Sequence, residues 1–562
     1  FAASLAQPGH ADLAAGLTAL VSLAVREGHV CLHLEDDDVR ERLLAIGLDV
    51  TDAWPQTGVI GPPDSGLPLV LGGGRLYFSR FFRDEQSLTR AFLRLAAVPP
   101  REIPPGLMPD IFRQPGGETD WQDVACFAAL RSRLCVISGG PGTGKTTTVA
   151  RILTLAARMH QGRDFRIRLA APTGKAASRM SEALVGAFPE GTMPPELAQS
   201  LSQSAQTVHR LLGWSAGGFR HHKDNPLPLD MLVVDEASML DLELCARLLD
   251  ALPEHAALVL LGDRNQLASV EAGAVLANLC QEGVVNAFSQ EFAALAAGAG
   301  VAALPVSSEA APLRDHVVEL RKSYRFSADS GIAALAALVR DGRADEAAAL
   351  LEGSHGDLEM RPCVGNAPLA TELGPLLRTA FGGLAKVADA ARAFELFGAL
   401  RLLSPVRQGP RGTEALNRLA REVLKAPAGD GWYTGRPVMV LENDYSLGLF
   451  NGDTGIALPV DGTLRVFFAT ADGFESFAPA RLPRHETCYA MTVHKSQGSE
   501  FRHTVLVLPE EPCPVLGREL LYTALTRARE RFTLVGAAGQ VRDAVQRPVR
   551  RDSGLGEMLR KA

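Results

Sequence analysis

The sequence predicts an α/β protein: two blocks built on parallel sheets, a helical N-terminal domain, and a small β-rich insertion in the second block. Two observations carry this prediction. Short apolar runs suited to buried strands, Leu134–Ser138, Arg166–Ala171, Met231–Val234 and Ala257–Leu261, are separated by helical stretches. The first of these runs ends in a glycine-rich loop that opens directly into the helical pattern Thr147–Ala157.

Composition narrows the class. At about 100–200 residues per domain, 562 residues imply about three or four domains. With 46% hydrophobic and 22% charged residues, the chain is neither a disordered tail nor a fibrous repeat. Its eight cysteines form no CxxC pair, which argues against a zinc ribbon, a CxxC redox centre and a disulfide framework, and for a reduced, cytoplasmic protein. The chain opens at Phe1 with no basic stretch leading into an apolar one, so no signal is expected. Its best membrane candidate, Val284–Val306, carries Asn286, Gln290 and Glu291, too polar to span a bilayer. The net charge of −7 confines any nucleic-acid contact to a local groove. Only eight of the 57 basic residues are lysines, so a lysine inside a motif carries extra information.

Residues 1–105 read as a helical docking domain, with helical patterns at Ala11–Val25 and Ser87–Ala97 and a proline-rich end at 98–105. Residues 106–312 form the first α/β block, and its Ala/Gly-rich stretch from Glu282 to Pro312 reads as a surface excursion. The second block comprises 313–429 and 484–562, with its first strand near Val317. Between its halves, 430–483 is rich in strands and in turns such as Gly435-Arg436-Pro437, Asn451-Gly452-Asp453 and Asp461-Gly462, and is expected to form a small SH3-like β-barrel.

The glycine-rich loop is Gly139-Gly140-Pro141-Gly142-Thr143-Gly144-Lys145-Thr146, followed by Thr147, and it fits the phosphate-binding pattern G-x-x-x-x-G-K-[ST]. Glycines let backbone N–H groups turn towards phosphate oxygens, and the following helix N-terminus adds its positive dipole. Lys145 is expected to bridge the β- and γ-phosphates, and the Thr146 hydroxyl to ligate Mg²⁺. A second acidic strand end, Leu232-Val233-Val234-Asp235-Glu236, supplies Asp235 for the metal and Glu236 as general base. Lys145 together with this acidic pair reads as a nucleoside-triphosphate hydrolase.

Further motifs go beyond a generic phosphate loop. Leu261-Gly262-Asp263-Arg264-Asn265-Gln266-Leu267, Leu320–Phe326, Ser404–Arg407, Thr492–Phe501 and Tyr522–Arg529 follow in that order. The set resembles superfamily 1 helicases, specifically the RecD-like branch that moves 5′ to 3′, and among these the alpha subunits of exodeoxyribonuclease V (RecBCD). The resemblance covers about residues 115–540. It implies two RecA-like P-loop domains with ATP between them. By the same resemblance Gln122 would read adenine and Gln266 would sense the γ-phosphate, while Gln497, Gly498 and Glu500 would lie at the nucleotide. Arg325 and Arg527 would reach across from the second domain as arginine fingers. DNA contacts would come from Pro172, Thr173, Lys175, Thr207, His209 and Arg407, and from Thr492, His494, Lys495 and Ser496. Taken singly, Gln122 can also be read as a surface glutamine, and His209 and His494 as loop-capping histidines. The third motif departs from many relatives in having Leu267-Ala268 where proline follows Gln-Leu.

The function this implies is an ATP- and Mg²⁺-dependent 5′–3′ helicase subunit acting on single-stranded and duplex-end DNA in break repair. Its expected partners are a RecB-like helicase–nuclease, which would carry the nuclease activity, and a RecC-like scaffold, forming a heterotrimer. Two alternatives stand beside it. A free-standing helicase of the same branch is disfavoured by the short first block, and a DNA-clamping scaffold with a weak ATPase by the intact Lys145, Asp235, Glu236, Gln266 and Arg527.

Overall fold

The computed structural model describes residues 11–561 except 46, 48–57, 112–118, 162, 188–204, 282, 302–303, 310, 328, 364–366, 428, 430 and 471–472. The first sheet has six parallel strands in the order Val317–Leu320, Leu134–Gly139, Ala257–Gly262, Met231–Val234, Ile167–Ala171 and Gln206–Thr207. Strand Leu134–Gly139 is buried throughout because both sheet faces are covered, which explains its unbroken apolar run. Successive side chains feed two different cores. Leu134, Val136, Leu232 and Leu258 pack on one face, Cys135, Ile137, Val233 and Val259 on the other.

The second sheet has five parallel strands in the order Leu358–Arg361, Ala528–Val535, Phe501–Val507, Leu400–Ser404 and Ala490–Thr492. It too has a core on each face: Ile332, Leu335 and Leu520 lie in one, Leu373, Phe397 and Leu416 in the other. Two α/β sheets covered by helices is the predicted architecture. Among the described residues, no helix is long and apolar enough to cross a membrane.

Several expectations are corrected. The N-terminal block is not purely helical. Besides helices Ala11–Arg26, Asp37–Ala45 and Ser79–Ala96, it holds a four-stranded sheet of Cys31–His33, Arg75–Phe78, Leu69–Gly72 and Ile60–Gly61. These strands are two to four residues long, too short for a period-2 signal to emerge. Nor does the block stand apart: Phe81, Leu88, Phe92 and Leu95 of its last helix share a core with Leu134 and Val136 of the first sheet.

The boundary between the two α/β blocks does not fall at 312. Strand Val317–Leu320 pairs in parallel with Leu134–Gly139, placing Leu320 opposite Gly139, so it is the edge strand of the first sheet. The stretch before it is no surface excursion, since Phe288, Phe292, Ala296 and Leu304 are buried in the first domain's core. The end of the chain also leaves the second domain. Helix Leu555–Lys561 buries Leu555 and Leu559 beside Phe92 and Leu279.

The insertion is a five-stranded antiparallel sheet, Gly473–Phe477, Thr463–Thr470, Thr454–Val460, Pro437–Val440 and His485–Thr487. Its first and last strands remain edges among the described residues, and it continues past 483 to Thr487. The start proposed for it, Asp430, lies outside the described residues. All three of its predicted turns place glycines in left-handed backbone, Gly435 at φ 82°, Gly452 at φ 94° and Gly462 at φ 78°.

Candidate nucleotide site and nucleic-acid groove

The glycine-rich loop, the acidic pair and the Asp263–Leu267 segment all emerge from the carboxyl ends of parallel strands, where α/β sheets place their ligand sites. Gly142 (φ 75°) and Gly144 (φ 82°) adopt left-handed backbone, and helix Lys145–Met159 starts immediately after them. A Cβ on Gly142 would lie 2.4 Å from the Arg325 Cβ, and one on Gly144 2.2 Å from Gln122 Nε2. The glycines therefore do two things, turning the loop and admitting close neighbours. Lys145 Nζ donates to the carbonyls of Gly139 at 2.5 Å and Gly140 at 3.2 Å, lying folded along the loop.

Gln122 is buried, and its Nε2 donates to the Thr143 carbonyl at 3.1 Å, so it braces the loop and is not a surface glutamine. Asp235 accepts the Glu236 N–H at 2.8 Å, and Glu236 itself adopts φ 51°, rare for a residue with a side chain. Burial and the adjacent Glu236 push the Asp235 carboxyl up to about 6, against the pull of Lys145. A buried carboxylate held next to a lysine and a second acid suits a divalent cation, whose charge would restore ionisation. Thr146 lies in the first turn of the helix after the loop, as a metal-binding hydroxyl requires. The residues fit Mg²⁺.

The second domain meets these groups directly. A Cβ on Gly498 would stand 3.9 Å from Glu236 Oε1, and the Gly498 carbonyl accepts from Arg179 of the first domain. Gln497 Nε2 donates to the Leu267 carbonyl at 2.9 Å. Arg527 is buried and spends its donors on the carbonyls of Thr523 (3.2 Å) and Ser499 (3.1 Å). Burial lowers its affinity for a proton, while Glu236 and Glu500 oppose that shift.

Arg325 requires a correction. It follows the edge strand of the first sheet, so it does not reach over from the second domain, and the Tyr324 N–H beside it donates to Gly142 O at 2.7 Å. It pairs with Glu500, which also accepts from Arg529 at 2.9 Å. Burial opposes ionisation of Glu500, but the two arginines outweigh it and hold its carboxyl below the usual range.

On the DNA side, a groove of about 470 Å³ is lined by Pro172, Thr173, Thr207 and His209, bringing four of the predicted contacts together. Thr173 and Thr207 also cap the helices that follow them, accepting from the N–H groups of Ala176 and Arg210. The opposite wall comes from Asn443, Tyr445 and Asn451 of the inserted segment, and Trp214 completes the lining. Trp214 and Tyr445 are 61% and 58% exposed, two large aromatic rings left open to solvent at the groove. None of these four was predicted. A signal existed for Trp214, one of four tryptophans, just after Thr207-Val208-His209; the inserted residues had none, because only folding brings them to the groove.

The second predicted cluster is absent from that lining. Ser496 is fully buried with its hydroxyl donating to Val493 O at 2.7 Å, so it is not available to a ligand. Lys495 Nζ donates to Glu486 at 3.1 Å, and Arg407 pairs with Glu414 (2.9 Å) and Glu486 (3.5 Å). His494 is held below its usual range by burial and by Arg551.

Two parallel α/β sheets that meet over a phosphate loop, an acidic strand end and a buried arginine define a RecA-like P-loop motor. Residues 122–272 match the AAA domain family, and 487–535 match the UvrD-like helicase C-terminal domain. The chain is 34% identical to the RecBCD enzyme subunit RecD of Haemophilus influenzae, over 98% of this chain and 93% of that one. It is 38% identical to the RecBCD enzyme subunit RecD of Mycolicibacterium smegmatis, over 97% and 93%. The ATP-dependent RecD2 DNA helicase of Deinococcus radiodurans is 33% identical over 87% of this chain and 59% of that one. The chain belongs to the RecD family of RecBCD enzyme subunits. It is an ATP-dependent DNA helicase.

Proposed function

We propose that the chain moves 5′ to 3′ along single-stranded DNA as the RecD-type motor of a cytoplasmic heterotrimer with a RecB-like helicase–nuclease and a RecC-like scaffold. It would engage duplex ends in break repair and leave nuclease chemistry to a partner. The observation that carries the reading is the junction at Glu236, where a Cβ on Gly498 of the second domain would stand 3.9 Å from the acid's Oε1. A ligand at that junction touches both domains, so its cleavage changes how they sit.

In this reading ATP phosphates lie on the N–H groups of 139–146, with Lys145 Nζ leaving its loop carbonyls for phosphate oxygens. Thr146 and Asp235 would hold Mg²⁺. Bound there, Mg²⁺ supplies charge neutralisation on the phosphates. Glu236 takes a proton from the attacking water, Gln266 senses the γ-phosphate, and Gln122 sets the loop from beneath while facing adenine. Arg527 and Arg325 add positive charge to the transition state, Arg325 by exchanging Glu500 for phosphate. Opening and closing of the cleft then alternate the grip of Thr173–Lys175 with that of Thr492–Lys495. The full-length matches to RecBCD subunits support the complex over a solitary helicase.

The test is co-purification from the native host together with unwinding of duplexes carrying one 5′ or one 3′ tail. Two co-purifying chains and 5′-tail dependence are expected, and Lys145→Gln should lower DNA-stimulated ATPase by at least about 10²-fold. Strict 3′-tail dependence would overturn the polarity, and a chain that purifies alone would favour the free-standing alternative.

A further inference from the structure

We infer that Tyr522 is a positioning residue for hydrolysis, delivered from the second domain to orient the Gln266 amide through Asp263. The inference rests on the assignment of Gln266 to the nucleotide made above.

Asp263 is 2% exposed, and every contact it makes is specific. Its Oδ1 accepts the Asn265 N–H at 3.0 Å. Its Oδ2 accepts two donors, Gln266 Nε2 at 3.2 Å and the Tyr522 hydroxyl at 3.1 Å. Gln266 Nε2 is thus committed, and an amide with its nitrogen fixed has its oxygen fixed as well. That oxygen, Gln266 Oε1, is buried and has no hydrogen-bond partner among the described residues. A buried, unpaired acceptor is costly unless a ligand uses it. It is suited to accept a hydrogen bond from a water at the γ-phosphate, orienting it while Glu236 takes the proton.

Tyr522 stands where such control is useful. A Cβ on Gly140 of the phosphate loop would be 3.0 Å from its hydroxyl. Its ring packs in the second domain's core with Leu520, Leu521 and Leu525, so the hydroxyl moves with that domain. Two neighbouring bonds tie the same segment to the same domain: Leu267 N–H donates to Thr523 Oγ1 at 3.0 Å, and Gln497 Nε2 to Leu267 O at 2.9 Å. Opening the cleft withdraws the hydroxyl, frees the carboxylate oxygen that anchors Gln266, and lets the amide rotate. Hydrolysis is thereby made conditional on closure, with Tyr522 touching neither nucleotide nor water.

The experiment is DNA-stimulated ATP turnover by the full chain as wild type, Tyr522→Phe, Gln266→Ala and the double variant, with affinity for a fluorescent ATP analogue and melting temperature measured on each. Tyr522→Phe keeps the ring and removes one hydrogen bond to a charged group. It should lower kcat about tenfold with KM and analogue affinity within about twofold. Gln266→Ala should be at least as slow, and the double variant no slower than Gln266→Ala. Asp263→Asn attacks the relay from the first domain and should reproduce the kcat loss, including its non-additivity with Tyr522→Phe. Wild-type kcat in Tyr522→Phe, or losses that multiply in the double variant, overturn the proposal. Should Gln266→Ala itself turn over normally, the assignment of Gln266 fails and the proposal with it, a pattern distinct from a slow Gln266→Ala beside a normal Tyr522→Phe.

Discussion

The ammonium of Lys175 in the first domain donates to the carbonyl of Gly452 in the inserted segment at 3.1 Å, joining the two units whose neighbouring residues Gly174 and Asn451 line the groove. Gly174 makes the approach possible, since a Cβ there would fall 2.3 Å from the Phe450 ring. Burial and the nearby Arg179 pull the Lys175 ammonium down to about 7, with Asp453 opposing them.

A titration follows from that position. A lysine with a folded-state value below its ordinary one loses its charge as pH rises through about 7, long before an exposed lysine would. Affinity for single-stranded DNA should therefore fall between about pH 6 and 8 more steeply in wild type than in Lys175→Arg, whose guanidinium stays charged. Parallel pH profiles for the two proteins would remove Lys175 from the groove's grip.

The aromatic rings should act differently from the cations. Trp214→Ala and Tyr445→Ala are each expected to weaken single-strand binding by about 1–3 kcal/mol, the worth of one stacked base, without changing the salt slope. Fluorescence anisotropy at several salt concentrations separates the two effects, and a changed slope at constant affinity would contradict the stacking role.

Glu486 accepts from both Lys495 and Arg407, so it masks two cations that the sequence alone presents as free to bind phosphate. Glu486→Gln should release Lys495, while Glu414 still holds Arg407 at 2.9 Å, and steepen the salt dependence of binding by about 0.7 for the one phosphate newly contacted. Lys495→Ala alone should change the slope by less than that, because the lysine is already paired.

The chain's end is fastened by a buried acid. Glu85 in helix Ser79–Ala96 accepts the Gly554 N–H at 2.9 Å and the Ser553 hydroxyl at 2.5 Å, while burial raises its carboxyl above the usual range. Between the ordinary carboxylate value and the raised folded-state one, the folded state binds more proton at Glu85 than the unfolded chain does. Its contribution is full below the ordinary carboxylate range and is lost as pH rises towards the folded-state value. Denaturant melts should show this downward slope in wild type and a flatter one in Glu85→Gln. Glu85→Ala, which strands the Gly554 N–H, should cost about 1–3 kcal/mol.

What the sequence determined by itself was local. A phosphate loop is contiguous, its conformation follows from Gly142 and Gly144, and its chemistry follows from Lys145, so strand, loop and helix were legible without a fold. The acidic pair at Asp235 and Glu236 was legible for the same reason, since an unbroken apolar run ending in two acids describes a buried strand and its exit. Tertiary structure decided everything that depends on which distant segments meet. Val317–Leu320 reads equally well as the first strand of one sheet or the last of another, because an apolar run does not name its neighbour; pairing with Leu134–Gly139 settles it and moves Arg325 with it. The short strands of the N-terminal block bury Leu32, Ile60, Leu69 and Leu76 in a core of the block's own, but at two to four residues each they are too short for any periodicity to announce them. Whether a motif cation is free is likewise a long-range matter: Lys495 and Glu486 are nine residues apart on separate turns of the chain, and Arg407 reaches the same acid from 79 residues away. Tyr522 and Asp263 were both visible inside motifs, yet only the closing of two sheets, 259 residues apart in sequence, turns them into one hydrogen bond.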